Sequence, residues 1–207
     1  MADLAHPATA FGLGMALGAA PGPVQVLLLG EAARGGLRRG LAAMAGANGT
    51  FGLLLLILAA GLTVARPTGT VLRALQIAGG AVLLWIAASS VRETLRTDGE
   101  REAVPTRLPP QVRGILAVVI NPGAWIFLAT SASALLAGAA ESGGRVFSFL
   151  TAAAMLVGVM IVDASMVVLG ASSGRFLGRR GELLLGLALT GALAAIGVWL
   201  LFQGATD

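Results

Sequence analysis

Residues 11–30 read FGLGMALGAAPGPVQVLLLG. The stretch is apolar and long enough to cross a bilayer core of roughly 30 Å as a helix, yet Pro21-Gly22-Pro23 interrupts it. Each proline lacks an amide donor and clashes with the carbonyl four residues back, so the carbonyls of Leu17 and Ala19 lose their usual partners. The residue before each proline is driven from helical geometry, and Gly22 permits local unwinding. In hydrocarbon an unpaired carbonyl is costly, so such a break survives where protein or a wet cavity surrounds it. The half-helix restarting near Val24 presents free amides, a partly positive end suited to a carboxylate. The rival reading is a packed kink with no ligand.

A second break, Asn121-Pro122, interrupts a later apolar run. Pro122 frees the carbonyl of Val118, and the Asn121 side chain suits the exposed end of a half-helix. Paired breaks in corresponding halves of a chain point to a transporter's binding site. The rival reading starts a helix at Pro122 and leaves 114–120 as an interfacial segment. The wholly apolar run 115–120 favours the membrane instead.

Composition agrees with a membrane setting. Of 207 residues, 57% are hydrophobic and 12% charged, against about 25% charged in soluble domains; mean hydropathy is +0.88. The absence of cysteine excludes disulfides, thiolate metal sites and thiol redox chemistry. The net charge of +4 resides in arginines that fall between apolar runs. That is an orientation signal rather than a nucleic-acid footprint. No basic region precedes the first run, which therefore reads as a retained span.

Six apolar runs, 8–30, 41–64, 71–91, 114–138, 146–170 and 183–202, each suffice for a helical span. No sustained two-residue alternation suggests strands. Loops after runs 1, 3 and 5 hold eleven arginines and those after runs 2 and 4 hold three. The positive-inside rule places the odd loops in the cytoplasm and both termini outside. The connection 92–113, charged and containing Pro105, Pro109 and Pro110, separates residues 1–91 from 114–207. Three spans per half force the second half to enter from the opposite side. The expected fold is an all-α membrane protein of six transmembrane helices, two inverted three-helix repeats with spans 1 and 4 broken at proline.

Asp163 is the one acid deep inside a run. At span centre an acid costs about 2.5–3.5 kcal/mol, so it must face protein or water. A carboxylate that takes and releases a proton would couple transport to the proton gradient; the alternatives are a structural hydrogen bond to Asn48, Gln25 or a hydroxyl, and hydration near the cytoplasmic face. At about 1.5 Å per residue, Pro21, Gln25, Asn48, Asn121 and Asp163 all fall roughly 20–25 Å from the outer surface. A cavity in the inner half, shared by spans 1, 2, 4 and 5, follows. Candidate substrate-binding residues are Pro21, Gly22, Pro23, Gln25, Asn48, Asn121 and Pro122, with Asp163 for proton coupling.

Gly14, Gly18 and Gly22 form a stripe suited to close helix packing or a homodimer interface. Trp85 and Trp199 read as interfacial anchors. Trp125 suits either a cavity wall or ordinary packing. Glu31, beside Arg34, reads as a solvated helix-end charge.

The chain resembles the LysE/RhtB family of amino-acid exporters. The resemblance runs from Ala20-Pro21-Gly22-Pro23 through Gly36, Gly40 and Gly46, and resumes at Asn121-Pro122-Gly123-Ala124-Trp125. Where the later motif usually carries a basic residue after its proline, Gly123 stands. The resemblance implies export of amino acids or related metabolites across the cell's inner (plasma) membrane, driven by the proton gradient, with Pro21, Gly22, Pro23, Asn121 and Pro122 at the site. Expected partners are the substrate, the proton and the bilayer, with no cofactor or nucleic acid. An enzyme is disfavoured, because the single histidine, His6, precedes the first run and Ser131, Ser133 and Ser165 have no evident base. A divalent-cation exporter and a structural membrane subunit are the rival readings.

Overall fold

The computed structural model describes residues 5–20, 22–61 and 108–206 and, in the third apolar run, residues 70, 73–74, 77–81, 83–85 and 87–88. Pro21, most of the connection 92–113 and parts of run 71–91 lie outside the described residues. Among the described residues the secondary structure is entirely helical. The helices are α1 (Ala5–Ala19), α2 (Pro23–Ala59), α3 (Pro110–Val119), α4 (Pro122–Phe127), a π-helical turn (Leu128–Ala132) and α5 (Ser133–Thr206). Pro23–Ala59 and Pro122–Ser173 are long and apolar enough to cross a membrane.

Neither long helix is straight. In α2, Gly36 adopts φ 70°, a left-handed conformation glycine takes without steric cost. Beyond it a Cβ on Gly40 would stand 2.7 Å from the Ala32 Cβ, whereas a straight helix separates residues eight apart by about 12 Å. α2 is therefore a hairpin with legs 23–34 and 37–59. α5 reverses likewise at Gly144, φ 74°. There Ser148 Oγ donates to the Leu136 carbonyl at 3.0 Å, across twelve residues that would span about 18 Å of straight helix. A further reversal falls between 171 and 194, because Val167 and Ala171 on one side and Ala194 and Leu200 on the other belong to clusters that both include Val24. The chain between apolar runs at 31–40 and at 139–145 turns tightly at glycine, with helix running up to each turn on both sides.

The second leg of α2 sits centrally. Its Ala47, Phe51 and Leu55 share a core with Leu128 of the π turn and with Met155 and Val159 of α5. Helices meet through glycine. Gly14 lies against the Met155 carbonyl and Gly158 against that of Phe11, joining α1 to α5. Gly46 lies against the Gln111 carbonyl and Gly114 against that of Ala43, joining α2 to α3. No side chain fits at these crossings, which is how small residues bring helices together where lipid supplies no hydrophobic drive. Gly14 and Gly18 are thus spent within the chain, against residues 155–162, rather than at a dimer surface. α3 begins at Pro110, so the end of the expected linker, Arg113 included, is part of the packed fold.

Candidate functional site

The chain breaks between α1 and α2 as the prolines dictate. The Ala20 amide donates to the carbonyls of Ala16 (3.0 Å) and Leu17 (3.2 Å), which supplies the partner Leu17 would lack. Gly22 is fully extended, Pro23 opens α2, and no side chain caps that end. Gln25 folds back over the break, its Oε1 3.3 Å from where a Cβ on Gly22 would stand.

The second break is settled by three hydrogen bonds. The Val118 carbonyl accepts from the Asn121 amide at 3.1 Å, and Asn121 Oδ1 caps α4 by accepting from the Gly123 amide at 3.0 Å. Trp125 Nε1 donates to the Val119 carbonyl at 2.7 Å. The indole of Trp125 therefore serves the backbone across the break, and Trp125 is not among the residues lining the cavity. Pro122 is the first residue of a new helix, and 110–119 form a helix of their own.

Between the two breaks lies a cavity of about 610 Å³. Gly22, Pro23, Gln25, Asn48, Asn121, Pro122 and Asp163 all line it, so every candidate site residue that is described reaches one space. The last leg of α5 adds a wall absent from the expected four-span arrangement, with Ile196, Trp199, Leu200 and Gln203. Trp199, expected as an interfacial anchor, thus lines the cavity while remaining 56% exposed. No polar pattern in run 183–202 singles these residues out; only tertiary packing brings them in.

Asp163 is 1% exposed and Asn48 6%. Asn48 Nδ2 donates to Asp163 Oδ2 at 3.0 Å, the structural hydrogen bond weighed as an alternative. It occupies one oxygen only: Oδ1 is buried and, among the described residues, has no hydrogen-bond partner. Leaving a buried acceptor unsatisfied is costly, so a carboxylate of this kind on a residue that lines a cavity is a place for a donor.

Glu31 corrects the reading from sequence. It is 0% exposed rather than solvated. Its Oε1 accepts from Arg34 Nη2 at 2.7 Å and from Arg113 Nη1 at 2.8 Å, and its Oε2 from Arg39 Nε at 2.6 Å. Arg113, counted as a cytoplasmic loop charge, is also 0% exposed. The Gly35–Gly36 turn brings Arg39 back beside Glu31, and the Gly46–Gly114 crossing sets Arg113 against both legs of α2. Arg34 lies one turn from Glu31 and was legible as its neighbour. The 82-residue separation of Glu31 and Arg113 leaves no local signal.

A helical, strongly apolar chain whose two backbone breaks and buried acid meet at one cavity has the make-up of a membrane translocator. Residues 15–204 match the LysE type translocator family, and the chain belongs to that family, whose members transport rather than catalyse. No curated protein and no solved structure matches the chain.

Proposed function

We propose that the protein exports amino acids or closely related small metabolites from the cytoplasm across the inner membrane by proton antiport. The observation that carries this reading is Asp163, a buried acid among the residues lining the cavity, with one carboxylate oxygen that has no hydrogen-bond partner among the described residues. A proton neutralises this carboxylate and a substrate ammonium pairs with its ionised form, so loading one releases the other; that competition is the basis of antiport. The substrate carboxylate rests at the uncapped start of α2, within reach of Gln25 and the break that Pro21, Gly22 and Pro23 make. Asn48 holds Asp163 in place, while Asn121 and Pro122 shape the opposite wall. Two inverted three-helix repeats rocking against each other give alternating access, with both termini outside. Amino acids are favoured over divalent cations because Asp163 is the only carboxylate among the described lining residues, a thin ligand set for a hard ion that takes six or more oxygens.

Asp163→Asn keeps the shape and removes the exchangeable charge. In proteoliposomes bearing an imposed proton gradient, this variant is expected to lose gradient-driven substrate movement while inserting normally. Gradient-driven transport equal to that of the unmodified protein would remove Asp163 from the coupling.

A further inference from the structure

We infer that the substrate is a zwitterionic amino acid with an apolar side chain, taken in preference to basic and acidic amino acids. This rests on the amino-acid export reading above and names the substrate class of that same cavity. Among the described lining residues Asp163 is the only ionisable one; the remaining polar side chains with a carboxamide are Gln25, Asn48, Asn121 and Gln203. Among the described residues the site thus holds one full charge, and the oxygen of Asp163 that lacks a hydrogen-bond partner suits one ammonium. Among the described lining residues the α-carboxylate meets no guanidinium or imidazole, but a neutral amide and the positive end of the first leg of α2, residues 23–34, which no side chain caps. With those two groups placed, the side chain of the substrate faces Leu17, Phe51, Val118, Val159, Ile196 and Leu200.

That wall decides the preference. A basic side chain would set a second ammonium against hydrocarbon with no acid to receive it. An acidic one would bring a second carboxylate into a space whose only charge is already negative. Both mismatches act as built-in rejection. A branched or aromatic apolar side chain meets surfaces of its own kind, and 610 Å³ leaves room for either.

The test uses the unmodified full-length protein in proteoliposomes. Counterflow of labelled leucine is measured against unlabelled leucine, phenylalanine, lysine, glutamate and N-acetyl-leucine, with protein-free liposomes as blank. Leucine and phenylalanine are expected to compete fully. Lysine and glutamate should be weaker on the order of 100-fold, as an unpaired charge in an apolar site dictates. N-acetyl-leucine, lacking the ammonium, should not compete. Lysine or glutamate competing within about threefold of leucine would overturn the apolar preference and leave amino-acid export standing. Exchange of none of these amino acids, by protein shown to be folded in the liposomes, would overturn both.

Discussion

Two buried acids in this protein have opposite surroundings. Glu31 is saturated by three guanidinium groups, whereas Asp163 has one amide on one oxygen. The first arrangement holds structure together; the second leaves a binding valence open. Removing one partner of a buried ion pair costs about 3–5 kcal/mol, because the others remain buried and uncompensated. Glu31→Gln is therefore expected to lower the unfolding free energy by about that amount, read by tryptophan fluorescence during thermal unfolding in detergent. Asp163→Asn, which strips no cation of its counter-charge, should leave the midpoint close to that of the unmodified protein. Equal losses in the two variants would refute the distinction. Asp163 was legible from sequence because hydropathy isolates an acid within an apolar run. Glu31 was not, because its second and third arginines arrive through a turn and a helix crossing.

Among the helices, glycine does two separate jobs. At Gly36 and Gly144 it reverses the chain with a positive φ, and at Gly46 and Gly114 it lets backbones touch. Filling the second kind is overpacking, which costs about 1–3 kcal/mol and displaces neighbours. Gly114→Leu should thus push α3 off α2 and draw Arg113 away from Glu31. Its stability loss should overlap with that of Glu31→Gln, so the double variant is expected to fall short of the sum; additive losses would show that the crossing and the ion cluster are independent. The helical class and the two proline breaks were readable because proline geometry and hydropathy are local. The gaps between apolar runs mark where the chain turns but not how tightly: a single left-handed glycine, Gly36 or Gly144, lets helix continue almost to the reversal.

Across the molecule, the cavity joins segments from near both ends of the chain, which hydropathy could anticipate only in part. Polar residues marked the walls made by runs 1, 2, 4 and 5; Ile196, Trp199 and Leu200 of the last run carried no mark. The six-span layout itself is open to a direct check, since the chain contains no cysteine to interfere. Leu37→Cys and Ser142→Cys sit at exposed positions beside the Gly36 and Gly144 turns. A membrane-impermeant maleimide applied to intact cells should label the Ser142 variant alone, and the Leu37 variant only after the cytoplasmic side is opened. Labelling of both from outside would break the inverted arrangement. The salt-bridged cluster has a further consequence for how the protein is made. Glu31 leaves the ribosome 82 residues before Arg113, which at about 5–20 residues per second is a wait of roughly 4–16 s. During that interval the nascent first half holds its acid with Arg34 and Arg39 alone. Arg113 is the late-arriving latch, so the first half gains the third guanidinium at Glu31 only once the whole connection 92–113 has been made.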